Sequence, residues 1–198
     1  VYKPNNAEII HSGLSNSWSN PGGSGVEIYS SQVETGSTGA VGTAKIHNCW
    51  FEAVNMGVYS EANNTIISNN RIAPAASGKA IHIKTKEIDG SYMVGSGEAG
   101  IIIGNYISLT QSGSYGVYLD GAPLSHLIVG NWFDWVAGTA IYCTNKQSVR
   151  VIGNRFEMGY DSGVGISGTT NHSQIMGNVF AGDLASPKGT GINADGYY

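Results

Sequence analysis

Ile128-Val129-Gly130-Asn131-Trp132-Phe133 is one of six copies of a hexapeptide that recurs along this chain. Each copy has Ile or Val first, Gly or Asn third, Asn or Cys fourth, and Phe or Ile last. The other five copies begin at Ile46, Ile67, Ile102, Val151 and Ile175. Their last residues are separated by 21, 35, 26, 23 and 24 positions. A motif that returns at this interval indicates a stack of equivalent structural units.

A second motif alternates with the first. It is a small residue followed by an apolar, an outward and usually another inward residue, and its seven copies begin at Gly25, Gly57, Ala80, Gly116, Ala140, Gly165 and Gly191. Both motifs alternate between inward and outward positions and are bounded by Gly, Asn, Ser or Pro, which is typical of short strands. No stretch has a convincing helical period with caps. The repeats therefore predict two or three short strands per turn.

Stacked repeats of this length pair successive strands in parallel around one continuous core. We predict an all-β, right-handed parallel β-helix of about six to seven rungs, with the hand that parallel crossovers favour. It covers residues 25–198, and residues 1–24 form an N-terminal segment with a partial rung or cap, in which Ile9–Leu14 fits one weak extra copy. Only four residues follow Ala194 and no polar cap is visible, so we expect the solenoid to continue beyond this sequence.

Two inward columns support the stack. The column Asn70, Asn105, Asn131, Asn154, Asn178 is expected to lie at bends, where Asn tolerates left-handed dihedral angles and each amide donates to the next. Cys49 replaces Asn at the start of this column. Phe133, Phe156 and Phe180 are expected to stack inside the solenoid.

These motifs resemble those of the right-handed parallel β-helix proteins, which include pectate lyases, polygalacturonases, epimerases, adhesins and phage tailspikes. The Asn-Thr-Asp and Asp-Asp signatures of polygalacturonases are absent from the sequence. A dense Asp cluster of the kind that holds calcium in pectate lyases is absent as well. The resemblance therefore predicts the fold, and these absences count against the pectin enzymes. Phage tailspikes form parallel trimers, and the apolar stripe described next favours that branch.

Two outward columns predict binding surfaces. The second motif brings Tyr59, His82, Tyr118 and Tyr142 into a ladder that offers apolar faces and hydroxyl groups to sugar rings. The alternative is a ladder that packs on itself or on a neighbouring subunit. The first motif places Ile103, Val129, Ile152 and Met176 in an apolar stripe, which predicts a homotrimer interface. Cover by Thr85–Glu98 is the alternative.

Asp134 and Glu157 occupy the same position on adjacent rungs, directly after the Phe column. Two stacked carboxylates repel, so one should hold its proton more tightly, as a glycosidase requires. Tyr106, Trp132 and Arg155 lie two positions earlier and would hold the sugar. The alternative is a surface salt network around Arg155. A rival pair, Lys84 and Asp120, is expected to be an ion pair.

The composition excludes some classes. The net charge is −4 with scattered basic residues, and no apolar run reaches 18 residues, so we expect neither nucleic-acid binding nor a membrane span. His and Cys lack metal-ligand spacing, so no metal or cofactor is predicted.

We predict a virion-borne, extracellular tailspike that binds a bacterial surface polysaccharide and, if it is an enzyme, acts as a glycoside hydrolase. The alternatives are a non-catalytic shaft or adhesin, and a secreted bacterial polysaccharide lyase or hydrolase.

Overall fold

The chain folds as a parallel β-helix. The computed structural model describes residues 6–15, 22–29, 43–85, 87–88, 91–92, 99–121, 125–160, 162–170, 173–182 and 189–195. Its strands are β1 (Asn6–Ile10), β2 (Gly13–Ser15), β3 (Ser24–Ile28), β4 (Thr43–His47), β5 (Trp50–Ser60), β6 (Thr65–Ser68), β7 (Arg71–Lys84), β8 (Glu87–Ile88), β9 (Ser91–Tyr92), β10 (Ile101–Ile103), β11 (Tyr106–Ser108), β12 (Tyr115–Asp120), β13 (Ser125–Val129), β14 (Trp132–Asp134), β15 (Thr139–Ile152), β16 (Arg155–Met158), β17 (Val164–Thr170), β18 (Gln174–Met176), β19 (Val179–Gly182) and β20 (Thr190–Asp195).

These strands form three faces, each seven strands deep in the described part of the chain. The first face consists of β1, β4, β6, β10, β13, the end of β15, and β18. The second consists of β2, the starts of β5 and β7, β11, β14, β16 and β19. The third consists of β3, the ends of β5 and β7, β12, the start of β15, β17 and β20. All of these pairings are parallel, and the depth agrees with the predicted six to seven rungs.

The first rung includes the segment before residue 25. Ile9 lies opposite Ile46 and Leu14 lies opposite Phe51, as the weak extra copy predicted. Elsewhere, β8 and β9 form an antiparallel hairpin within the insertion that follows Lys84. The other long insertion, residues 30–42, lies outside the described residues. None of the described segments is a helix long and apolar enough to cross a membrane.

The core is one continuous column of apolar side chains. Phe133 stacks on Phe156 with ring centroids 4.9 Å apart, and Phe156 stacks on Phe180 at 4.7 Å, as predicted. The small residue of the second motif lies against this column. A Cβ added to Gly116 would come within 2.4 Å of the Ala140 carbonyl oxygen and 2.8 Å of the Phe133 ring. The motif therefore requires a small residue because backbone and aromatic ring already fill this space.

The Asn column forms a hydrogen-bonded ladder. The side-chain amide of Asn105 donates to Asn131 Oδ1 at 2.9 Å, and Asn131 donates to Asn154 Oδ1 at 3.0 Å. The backbone N–H of each Asn donates to the same oxygen of the next rung. The left-handed dihedral angle, however, falls one residue earlier than predicted, at the positions Asn48, Asn69, Gly104, Gly130, Gly153 and Gly177. That residue makes the corner, and the buried Asn after it satisfies the backbone groups that the corner leaves open.

Candidate functional site

The second face carries an outward column in which aromatic and cationic side chains share one register. Across adjacent rungs it runs Trp50, Arg71, Tyr106, Trp132, Arg155, Val179. The Arg71 guanidinium lies 5.6 Å from the Trp50 ring and 5.3 Å from the Tyr106 ring. Arg155 lies 5.4 Å from the Trp132 ring. The predicted trio Tyr106, Trp132 and Arg155 therefore lies side by side.

The predicted carboxylate pair lies beside this column. Phe133 is opposite Phe156, which places Asp134 next to Glu157 on the following rung. The proximity of Glu157 contributes to raising the pKa of Asp134. The Tyr106 hydroxyl donates to Asp134 Oδ2. Arg155 Nη2 and Nε lie 2.8 Å and 3.0 Å from Glu157 Oε1, so Glu157 is held in an ion pair.

The two carboxylates have different surroundings. Asp134 is 8% exposed, and this burial raises the pKa of its carboxyl group. The neighbouring Glu157 adds to the rise, whereas the Tyr106 hydroxyl and the charge of Arg71 oppose it. Burial and the bond to Asp134 in turn raise the pKa of Tyr106 to about 12, so its hydroxyl keeps its proton. The surroundings of Asp134 therefore favour its protonated form more than water does, whereas Glu157 lies in an ion pair with Arg155.

A groove adjoins Glu157 and introduces residues that the sequence analysis missed. Its volume is about 310 Å³, and Trp135, Arg155, Glu157 and Gly159 are among its lining residues. Trp135 is 53% exposed and has a φ angle of 49°. Gly159 leaves room for the Trp135 ring, since an added Cβ would lie 2.7 Å from it. Trp135 follows the strand at a corner, so the alternating pattern alone did not reveal it.

Two further members of the outward column also went unnoticed. Trp50 and Arg71 precede the last residue of their motif copies, as Tyr106, Trp132 and Arg155 do in theirs. The position of Trp50 and Arg71 in the repeat was therefore enough to predict that they belong to this column.

The third face carries the predicted Tyr and His ladder in register. Tyr59, His82, Tyr118 and Tyr142 lie opposite one another on successive rungs. His82 packs edge-on between Tyr59 and Tyr118, with ring centroids 5.2 Å and 5.0 Å away. It is 7% exposed, and neither ring nitrogen has a hydrogen-bond partner among the described residues. Burial and, to a smaller extent, the positive charge of Lys79 lower the pKa of His82 to about 4.

The rival pair on this face does not form the expected ion pair. Lys84 and Asp120 are opposite in register. Within the residues that the structure describes, however, Asp120 accepts a hydrogen bond from Thr144 at 3.0 Å and lies 3.9 Å from His82 Nε2.

The predicted apolar stripe lies on the first face. Ile103, Val129, Ile152 and Met176 are in register, and Met176 is 50% exposed. A groove of about 330 Å³ beside it is lined by residues that include Ile66, Ile101, Leu127 and Arg150. The stripe is therefore an apolar part of this face, and polar side chains such as Ser148 and Arg150 line the groove beside it.

Potential metal ligands do not gather into a site. Across the described ranges, no group of three or more His, Cys, Asp or Glu side chains is placed to hold an ion. His47 lies 3.1 Å from Glu8, and His82 lies 3.9 Å from Asp120. Each of these pairs would supply only two ligands to a metal ion.

Comparison with known proteins identifies a family. Residues 81–195 match the family described as periplasmic copper-binding protein (NosD). No curated protein and no solved structure matches the chain. The match spans more than half of the sequence, so the chain belongs to the NosD family.

Proposed function

We propose that this member of the NosD family binds a polysaccharide along the second face of its β-helix and hydrolyses it with Asp134 and Glu157. The observation that carries the proposal is the position of these two carboxyl groups on adjacent rungs beside exposed aromatic side chains. Exposed rings suit the apolar faces of sugars, and polar groups at their edges suit sugar hydroxyls. Trp132 is 43% exposed and Trp135 is 53% exposed, so both rings are available to a ligand.

The surroundings of the two carboxyl groups support separate roles. Asp134, with its raised pKa, is the proton donor to the leaving oxygen of the glycosidic bond. Glu157, ion-paired with Arg155, attacks the anomeric carbon from the opposite side and forms a glycosyl ester. Water then cleaves this ester after giving its proton to Asp134. A rung spacing of about 4.8 Å is close to the separation of about 5–5.5 Å that retaining glycosidases use.

The other sequence predictions remain proposals, on all three faces. Tyr106 positions Asp134 through its hydroxyl group. The ladder Tyr59, His82, Tyr118, Tyr142 is a second surface for the glycan, supported by its register on the third face. The apolar stripe of the first face is proposed to be buried in a homotrimer.

The described residues do not fit a copper site. Copper prefers imidazole, thiolate and thioether ligands. Cys49 and Cys143 are buried, and neither belongs to a group of three ligands in the described part of the chain. No step of the proposed reaction uses a metal ion.

The family description favours one cellular setting over another. It names a periplasmic protein, which agrees with the alternative of an exported bacterial protein. A phage tailspike remains the other setting for the same glycan-binding face, and the apolar first face favours it because tailspikes are trimers. Light scattering of the purified chain tests the trimer, and a monomer would remove that support.

The deciding experiment measures polysaccharide size before and after incubation with the protein, across bacterial capsules, O-antigens and exopolysaccharides. Asp134→Asn and Glu157→Gln should each lower the cleavage rate by at least about 100-fold, because each removes an acid or a nucleophile. Glu8→Gln, on the first face, is the matched control and should cleave normally. Cleavage that survives both changes would relocate the site.

Two other outcomes would favour the alternatives. Binding without any size change would favour an adhesin or shaft, for which the apolar first face is the supporting observation. Products that absorb ultraviolet light through a new double bond would indicate a lyase.

A further inference from the structure

Arg71 and Arg155 occupy the same outward column of the second face but have different neighbours. Arg155 is followed two positions later by Glu157, with which it forms an ion pair at 2.8 Å. Arg71 is followed two positions later by Ala73. In the described part of the chain, the Arg71 guanidinium has no hydrogen bond and no ion pair.

The contacts that Arg71 does make leave its hydrogen-bonding groups open. Its guanidinium lies between the Trp50 and Tyr106 rings, at 5.6 Å and 5.3 Å. Aromatic neighbours on two sides hold a planar cation in place without using its N–H donors. The side chain is exposed, so these donors face solvent. A fork of N–H groups held in this way matches the two oxygens of a carboxylate or sulfate group.

Among the described residues, the neighbouring acidic groups do not form an ion pair with Arg71. The charge of Glu157 is balanced by Arg155. Burial raises the pKa of Asp134, and the charge of Arg71 opposes this rise without an ion pair between the two groups. The remaining carboxylate of this surface, Glu52, lies next to Ala73 and within 3.5 Å of the Ser15 hydroxyl, not in an ion pair with Arg71.

We propose that Arg71 binds an acidic group of the glycan, so that the substrate is an anionic polysaccharide. The proposal rests on the proposed glycan-binding function of the second face. The acidic group is the carboxylate of a uronic acid or a sulfate ester, since both present oxygens to a guanidinium. Arg71 lies two rungs from Trp132 in the column, so the acidic sugar would bind about 10 Å from it along the groove.

The test measures binding by calorimetry to alginate, hyaluronan, dextran sulfate, neutral dextran and single-stranded DNA. Arg71→Gln should weaken binding to the acidic glycan by at least about tenfold, because a charge-assisted hydrogen bond is lost. Arg71→Lys should recover only part of it, since a lysine lacks the planar fork. Ala73→Glu places a carboxylate two positions after Arg71, as Glu157 is placed after Arg155. This carboxylate should form an ion pair with Arg71 and weaken binding as much as Arg71→Gln. Ala73→Gln is the matched neutral control and should bind normally.

The outcomes separate this inference from the function on which it rests. Binding to alginate or hyaluronan supports a carboxylate, and binding to dextran sulfate alone supports a sulfate. Preferential binding to neutral dextran, or acidic-glycan binding that Arg71→Gln and Ala73→Glu leave unchanged, would overturn the inference and keep the glycan-binding face. Equal binding to DNA would show charge attraction alone and also overturn it. Failure to bind every glycan, here and in the wider panel, would overturn the proposed function itself.

Discussion

The second and third faces both carry outward columns of aromatic side chains, yet these columns are built differently. On the second face arginines interrupt the column of rings, and Trp132, which lies between Tyr106 and Arg155, is 43% exposed. On the third face the rings contact one another from Tyr29 through Tyr59, His82 and Tyr118 to Tyr142. The Tyr59 hydroxyl donates to Glu61 at 2.6 Å, so its polar group is already satisfied.

This difference separates a column whose rings stay open from one whose rings pack mostly on one another. A column that arginines interrupt keeps more of its apolar ring area exposed to a ligand. A continuous column of rings buries much of that area in contacts between the rings. The same period-two pattern therefore produces two kinds of surface, depending on which residues lie one rung above and below.

The largest expected difference is in folding stability. His82→Ala should lower the free energy of unfolding by about 2–3 kcal/mol, because it leaves a cavity in a packed column. Trp132→Ala should lower it by less than about 1 kcal/mol, since an exposed ring is removed. Urea unfolding followed by far-ultraviolet circular dichroism measures both values. Equal losses would show that the two faces do not differ in packing.

The next prediction concerns the pH dependence of the free energy of unfolding, to which His82 on the third face contributes. Folding lowers the pKa of His82 from 6.5 to about 4, so its contribution to stability is present above pH 6.5 and lost as the pH falls towards 4. Between pH 6 and 5 this amounts to about 1 kcal/mol per pH unit. Burial lowers the pKa of His126 to about 4 as well, so both histidines contribute to the slope.

His82→Gln should remove the His82 part of this slope and leave the part from His126. Unfolding free energies at pH 5, 5.5 and 6, compared between the two proteins, measure the difference. The effects of all other groups cancel in that comparison. An unchanged slope would mean that His82 is protonated or solvated in the folded protein.

The smallest effect concerns the ion pair on the second face. Arg155→Gln should change the unfolding free energy by less than about 1 kcal/mol, because the pair is largely exposed and screened by solvent. Tyr59→Phe, which removes a hydroxyl from the third face, should lower it by about 1 kcal/mol. Measuring both at low and high salt separates them, since only the ion pair should respond strongly to ionic strength. A large, salt-independent loss in Arg155→Gln would assign a packing role to the arginine.

Repetition made much of this fold predictable. The two motifs predicted the parallel stack, the number of rungs, the Phe column and the Asn ladder, because each depends on which residue recurs at an equivalent position. They also placed Asp134 beside Glu157 and Tyr106 beside Trp132, as register alone requires. The position of the left-handed residue was predicted wrongly, one residue late, because both residues of the Gly-Asn pair tolerate a corner and only the buried one can join the ladder.

The tertiary structure decided what register does not contain. Trp135 enters the groove because the chain turns at a corner and Gly159 on the next rung leaves room for its ring. His82 is buried between Tyr59 and Tyr118. Arg71 has no hydrogen-bonding or ion-pair partner in the described residues, because Ala73 occupies the position that Glu157 has beside Arg155. The sequence by itself determined which side chains are neighbours, since strand pairing follows from the repeat. Burial, ion pairing and the raised pKa of Asp134 depend on how those neighbours fill space in three dimensions.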